Sequence, residues 1–324
     1  MSKDASIEII QKCLNNCIHC SSRSTDKSVA ILPLSVIVEV IAGLKKIGIE
    51  RVCLSGGEPL LHPDIVEIVK QIVGHQMTAD IYSCGIVGSC EKPEPVSIEL
   101  LTELKAAGLR ALLFNIPSPQ EQTYDIITQR KGHFSIMCQS VENANKCRLR
   151  TEAHFVPMKQ NVADAVSVVQ FAEELGVEQV NYLKLVPHGR ARDNVNKIML
   201  TDEELKKLQS ELVAMREKGK SIRIGLPLSS TEEILPCHAV REKLYIKYDG
   251  TVFGCEAFKY ITFQNEFGKD IVPDNISDNS IVEIYQKSEY LQHSVQLVQH
   301  YEPCNFGCGN CPVQKYLKEQ EIMR

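Results

Sequence analysis

Cys13, Cys17 and Cys20 make the pattern Cys-x-x-x-Cys-x-x-Cys close to the start of a 324-residue chain. Three thiolates at this spacing can wrap one iron–sulfur cluster and leave a fourth iron without a protein ligand, and an open coordination site is what reactivity needs. The rival use is a structural zinc loop, but tetrahedral zinc requires a fourth ligand, and His19 lies too close in sequence to be an obvious one. Gly56-Gly57-Glu58-Pro59 is the second motif. Paired glycines let a backbone approach a ligand without Cβ obstruction, although such a pair in a strand-to-helix turn also serves as a plain turn. A second cysteine group closes the chain. Cys237 and Cys255 bracket Asp249-Gly250, a strong hairpin signal, and Cys304, Cys308 and Cys311 follow a helical segment. Four such thiolates can enclose a second cluster or a structural zinc, and spacing alone does not separate the two. Thirteen cysteines in all, an odd number, argue against a fully paired disulfide framework.

The elements that must position these residues alternate. Short β-branched runs at Ser6–Gln11, Arg51–Ser55, Thr78–Ser83, Arg110–Ile116, Thr151–Pro157 and Gln179–Val186 are separated by amphipathic helical segments. One helix follows Pro33 and ends at Gly48, the next runs from Pro63 to Gly74. Strand, helix, strand in this order implies parallel pairing with right-handed crossovers. About six such units are fewer than the eight of a closed barrel, so the expected fold class is α/β, a partial (β/α)6 TIM-like barrel. Thr201 with Glu204 forms a capping box for a further helix, and Ser221–Leu226 reads as one more strand. A small C-terminal α+β module is expected from about residue 228, which divides the chain into 1–227 and 228–324.

Composition narrows the class. The hydrophobic fraction of 44% and charged fraction of 24% are those of a soluble globular protein. The net charge of −5 with dispersed basic residues leaves no footprint for nucleic acid. No apolar run approaches the roughly 18 to 20 residues of a membrane span, and the start lacks a signal peptide's regions. A cytoplasmic address follows, where clustered cysteines read as metal ligands.

The cysteine motif after the first strand and the glycine turn after the second, in this order, resemble the radical S-adenosylmethionine (SAM) superfamily. The resemblance implies that Cys13, Cys17 and Cys20 ligate a [4Fe-4S] cluster whose unique iron is chelated by the amino and carboxylate groups of SAM. It implies that the turn Gly56, Gly57, Glu58, Pro59 receives the methionine amino group, and that His19 occupies an aromatic position against the adenine. Asn115 and Ser118 are the nearest polar residues to the end of the fourth strand, where relatives reach the ribose. Arg190, just after the sixth strand, fits a SAM carboxylate or an acidic substrate, or else a solvated loop arginine. The C-terminal group resembles the Twitch module, the shorter relative of SPASM. That implies one auxiliary [4Fe-4S] cluster on Cys237, Cys255, Cys308 and Cys311, with Cys304 as a substitute ligand, a cap or a spare thiol. An external electron donor such as flavodoxin or ferredoxin is implied as well.

Two further groups are weighed. Cys84, at the end of the third strand, fits a hydrogen-donating thiol as in some radical SAM epimerases, or a small core residue. The run Cys255-Glu256-Ala257-Phe258-Lys259 fits substrate contacts or exposed hairpin-edge charges. Three functions compete: radical modification of a peptide or protein side chain, oxidation or epimerisation of a small polar metabolite, and a non-enzymatic electron-transfer or interaction module. Only twelve residues precede Cys13, so no fused leader-peptide-binding domain is expected there. The glycine turn weighs against a mere carrier.

Overall fold

The computed structural model describes residues 3–225, 228, 237–301 and 311–322. Apolar residues at helical spacing seat each helix on the sheet. In α1 (Leu34–Lys46) Ile37, Val40, Ile41 and Leu44 are buried and Lys45 and Lys46 sit in the last turn, and Gly48 then turns the chain at φ +83°, a conformation that favours glycine. α2 (Ile65–Gly74) repeats the scheme with Ile65, Ile68, Val69 and Ile72. α3 (Ile98–Ala106), α4 (Glu121–Thr128), α5 (His133–Lys146) and α6 (Ser167–Glu174) follow. α7 (Asp202–Glu217) opens on the capping box of Thr201 and Glu204.

Seven strands lie side by side in chain order, all parallel: β1 (Asp4–Ile10), β2 (Arg51–Gly56), β3 (Thr78–Ser83), β4 (Ala111–Asn115), β5 (Arg150–Phe155), β6 (Gln179–Tyr182) and β7 (Ile222–Ile224). This is the expected partial barrel, joined as β7 by the further strand read at Ser221–Leu226. The C-terminal hairpin of β8 (Lys243–Ile246) and β9 (Val252–Phe253) does not stand apart from it. β8 pairs in parallel with β1, Ile7 opposite Ile246, which makes a nine-stranded sheet in the order β9-β8-β1-β2-β3-β4-β5-β6-β7. The physical reason is edge protection: Ile7 and Ile9 are fully buried, and an uncovered β1 would present unpaired backbone groups along an apolar edge. The hydrophobic core runs from Ile7 through to Leu291 and Val313, so the division near residue 228 marks a change of pattern within one core.

Beyond the hairpin come α8 (Ile281–Lys287), α9 (Glu289–Tyr301) and α10 (Pro312–Ile322). Inside the barrel, the amino-terminal end of the strands is crossed by a chain of ion pairs. Arg110 reaches fully buried Asp80 at 2.5 Å and Glu152 at 3.5 Å, and Arg150 holds Glu152 at 2.9 Å. A thin apolar layer of Cys53, Ala111 and Leu113 lies nearby, so Cys53 packs inward as its strand position predicts. No helix of the described residues is long and apolar enough to cross a membrane.

Candidate active site

The three N-terminal cysteines sit on the loop that leaves β1, and the loop is held by other parts of the barrel mouth. Asn16 and Ile18 donate from their backbone N–H groups to the carbonyls of Thr128 and Ile127 at 2.9 Å, at the end of α4. Arg130 Nε donates to Leu14 O at 2.8 Å. From the loop after β6, Arg190 donates through Nε to Cys17 O and through its guanidinium to Ser24 O, both at 2.8 Å. Its backbone N–H reaches Cys20 O at 3.0 Å. Arg190 is therefore neither a solvated arginine nor an unengaged anion ligand, because two of its nitrogens fix the cysteine loop.

The glycine turn touches the same loop. Gly57 N–H donates to Ile10 O at 2.6 Å and Glu58 N–H to Lys12 O at 2.8 Å. A Cβ on Gly57 would lie 2.1 Å from Lys12 O, and one on Gly56, at φ +123°, would lie 2.2 Å from Ile10 O. The glycines are required first by the contact between the two loops, a demand that sequence reasoning assigned to a ligand. Glu58 is fully buried. Its carboxylate accepts from Leu60 N–H at 3.1 Å, Ser83 Oγ at 2.9 Å and Cys84 N–H at 2.7 Å, so it ties β2 to the end of β3. Pro59 is buried behind it.

Cys13, Cys17, Cys20, Gly56, Gly57 and Asn115 share one cavity of about 480 Å³, which His19, Cys84 and Arg190 also line. Ser118 does not line it. That side chain is fully buried and donates to Asp164 at 2.7 Å, which turns it away from the ribose role expected of it. Cys84 stands beside the cysteine trio, its thiol meeting that of Cys13, and this contact followed by burial pushes it well above the usual thiol range. Burial and then the charges of Cys13 and Cys20 raise the Cys17 thiol. A thiol that burial and two neighbouring cysteines keep from ionising becomes a favourable donor beside a cationic centre, and among the described residues His19 Nδ1 adds a buried nitrogen without a hydrogen-bond partner. The residues present fit a cluster and a polar ligand. Among the described residues no three His, Cys, Asp or Glu groups are gathered as ligands of a single ion.

The second cysteine group is described in part. Cys255 is pushed well above its usual range by burial, then by Glu256, Cys311 and Cys237, so these three thiols share one neighbourhood. Cys304 and Cys308 lie outside the described residues. The run after Cys255 departs from the hairpin-edge reading. Lys259 is fully buried, and its ammonium donates to Glu8 Oε1 at 2.7 Å, Ser22 Oγ at 3.0 Å and Ser21 Oγ at 3.3 Å. Ser22 also donates to Glu8, and the Lys259 ammonium lies 4.6 Å from the centre of the Tyr245 ring. His188 Nε2 meets Ala257 O at 2.8 Å. The turn that follows Cys255 is thus braced against the segment that follows Cys20. Sequence reasoning missed Glu8, and also His154, Arg223 and Lys243, which line the same cavity, the last two as exposed side chains. The available signal was polar residues at alternate positions of strands that are otherwise apolar, such as Glu152 and His154.

Known proteins match in the same two regions. The model of the radical SAM superfamily matches residues 7–172, and that of an iron–sulfur cluster-binding domain, SPASM, matches 237–312. An AdoMet-dependent heme synthase of Methanosarcina barkeri is 23% identical, over 95% of this chain and 88% of its own. A PqqA peptide cyclase of Gluconobacter oxydans is 22% identical, over 87% and 75%. Among solved structures, Streptococcus suis SuiB bound to S-adenosylmethionine superposes with a TM-score of 0.71 at 13% identity, covering 92% of this chain and 68% of that one. For anSMEcpe with bound AdoMet the TM-score is 0.68 at 14% identity, with coverage of 96% and 90%. The superfamily model spans half of the sequence and falls on the barrel that carries the cysteine loop and glycine turn, so this chain belongs to the radical SAM superfamily and carries a C-terminal SPASM-type iron–sulfur domain.

Proposed function

We propose that this radical SAM enzyme oxidatively modifies or cross-links a residue of a peptide or protein. When bound, the [4Fe-4S] cluster and SAM supply a 5′-deoxyadenosyl radical able to abstract hydrogen from an unactivated C–H bond. Cys13, Cys17 and Cys20 hold that cluster in our reading, Gly56 and Gly57 offer backbone to the methionine end of SAM, and His19 and Asn115 offer polar groups to its nucleoside end. Arg190 keeps the cysteine loop in place through its two carbonyl contacts. Cys237, Cys255, Cys308 and Cys311 are the proposed ligands of one auxiliary cluster.

One observation carries the oxidative reading. The cavity that begins at the N-terminal cysteines extends to Glu256, the residue after Cys255. A substrate lying in it has an iron–sulfur group proposed at each end, one to start the radical and one to accept the electron left behind. The peptide assignment is supported by relatives: SuiB has been solved bound to precursor peptide SuiA and anSMEcpe with a Cp18Cys peptide. The position of Cys84 beside Cys13 favours a packing role at the cluster over hydrogen return across a substrate. A small polar metabolite is the second reading, favoured by the charged lining of the inner cavity.

Anaerobic reconstitution tests the proposal. The protein is expected to hold about eight iron atoms, two four-iron clusters, to release 5′-deoxyadenosine from SAM on reduction, and to change the mass of a peptide encoded beside its gene. Deoxyadenosine release with no peptide product but a modified sugar or other metabolite would favour the second reading.

A further inference from the structure

We infer that the inner cavity is a carboxylate-binding substrate site, built by Arg223 and Lys243 across the open seam of the barrel with His154 in the same strand row as Arg223. The inference rests on the proposed placement of SAM at the Cys13–Gly57 end. It holds for a carboxylate on a peptide as for one on a small molecule.

Register sets out the site. Asn115 on β4 lies opposite His154 on β5, His154 opposite Asn181 on β6, and Asn181 opposite Arg223 on β7. The four form one polar row across adjacent strands, and Asn115, His154 and Arg223 line the cavity. Lys243 enters from β8 on the far side of the seam, opposite Asp4. Burial and then Arg223 lower the pKa of His154, whereas burial raises that of Asp4, and against its burial Lys243 is raised by Glu256 and Asp4, with Arg223 a minor opposing charge on the last two groups; the guanidinium thus stands within electrostatic range of all three.

These groups have hydrogen-bonding capacity to spare. Arg223 uses Nε to reach Asn181 Oδ1 at 2.8 Å, and among the described residues its terminal nitrogens make no other hydrogen bond. The exposed Lys243 side chain makes no hydrogen bond among the described residues, and the acidic charges that act on it are those of Glu256 and Asp4. His154 is 6% exposed, its ring centre 4.6 Å from that of Tyr82, and among the described residues its Nε2 has no hydrogen-bond partner. Burial and then Arg223 lower its pKa to about 3, which leaves it a neutral hydrogen-bonding group at physiological pH.

The acidic neighbours are already engaged. Asp4 lies 3.5 Å from Arg51, Glu256 accepts from Ser6 Oγ at 3.1 Å, and Glu8 is bound to Lys259. With Glu8 paired to Lys259, the cations Arg51, Arg223 and Lys243 face the carboxylates Asp4 and Glu256, which leaves one net positive charge at this end of the cavity. A carboxylate satisfies that charge and the spare donors at once: two oxygens take donors from the guanidinium and the ammonium, and the His154 edge takes a third contact. A neutral amide of the same shape offers one acceptor oxygen in place of two and no charge.

The test is equilibrium dialysis of the reconstituted holoenzyme with SAM, against two labelled pairs of probes. One pair is glutarate and glutaramide; the other is a capped glycine pentapeptide with a central glutamate, and the same peptide with glutamine. A carboxylate probe is expected to bind at least ~10-fold more tightly than its amide, from the value of charge-assisted hydrogen bonds. Arg223→Met with Lys243→Met should remove that preference, and Arg223→Lys with Lys243→Arg should keep it, with iron content unchanged in both. Preference for glutarate alone or for the glutamate peptide alone supports the site and assigns its source. Equal binding of acid and amide, no retention of any probe, or a preference that survives the methionine pair overturns the inference. Failure of the wild-type holoenzyme to release deoxyadenosine is a separate outcome, one that overturns the placement of SAM instead.

Discussion

Replacing Lys259 by methionine keeps the length of the side chain and deletes its charge. The change leaves the Glu8 carboxylate, 1% exposed, with the hydroxyls of Ser22 and Tyr245 and a distant Tyr248 N–H at 3.4 Å but no cation. Removing one partner of a buried pair costs about 3–5 kcal/mol, and loss of the cation from the Tyr245 face adds ~0.5–2 kcal/mol. Set against a typical total of about 5–15 kcal/mol, that is a large share of the stability. Glu8→Gln combined with Lys259→Met removes both charges and should recover most of the loss, because an amide and a thioether can lie together without an unpaired ion. The measurement is anaerobic urea unfolding of the holoenzyme, comparing midpoints at constant slope. Iron per chain is read in parallel: because Ser21 and Ser22 follow Cys20, the single variant should lose iron from the N-terminal group first. A Lys259→Met cost below ~1 kcal/mol, or a double variant no better than the single, would refute the brace.

Cys17→Ala should abolish deoxyadenosine release and halve the iron content, whereas Cys255→Ala should spare part of the release, halve the iron and block product; normal turnover by the second variant would make the auxiliary cluster dispensable. Gly57→Ala forces a methyl group to within 2.1 Å of Lys12 O, so it should displace the cysteine loop and empty the first cluster, visible as lost cluster absorbance in protein that remains folded. His154 carries a pKa depressed to about 3 by burial and then Arg223. A depressed histidine contributes stability above its unfolded pKa of about 6.5 that is lost progressively as pH falls toward about 3. His154→Leu should therefore flatten the decline in denaturation midpoint between roughly pH 6.5 and 4, and an unchanged slope would count against that burial.

Much of this architecture is written in local pattern. The Cys13–Cys20 loop and the Gly56-Gly57 turn were legible because both follow strands whose apolar runs announce them, and the loops after parallel strands gather at one end. The partner of β1 on its outer side was not legible, since pairing between residues 4–7 and 243–246 leaves no trace in either segment alone. For the same reason Lys259 read as an edge charge: its location depends on Glu8, far away in sequence. Arg190 and Ser118 were placed near the right loops, but which carbonyl or carboxylate a polar side chain chooses is decided by packing. His154 shows the converse case, a polar residue on an apolar strand that only the inward parity of its neighbours explains.

The pairing of β8 with β1 also orders events during synthesis. The first strand and its metal-binding loop are made before β8, and Ile7 cannot find Ile246 until that later segment follows. Until then an apolar ladder is open to any passing strand, which invites misassembly, and the cysteine loop lacks both the Arg190 clamp and the Lys259 brace. A nascent chain stalled short of β8 should therefore be a client for chaperones rather than a substrate for cluster insertion.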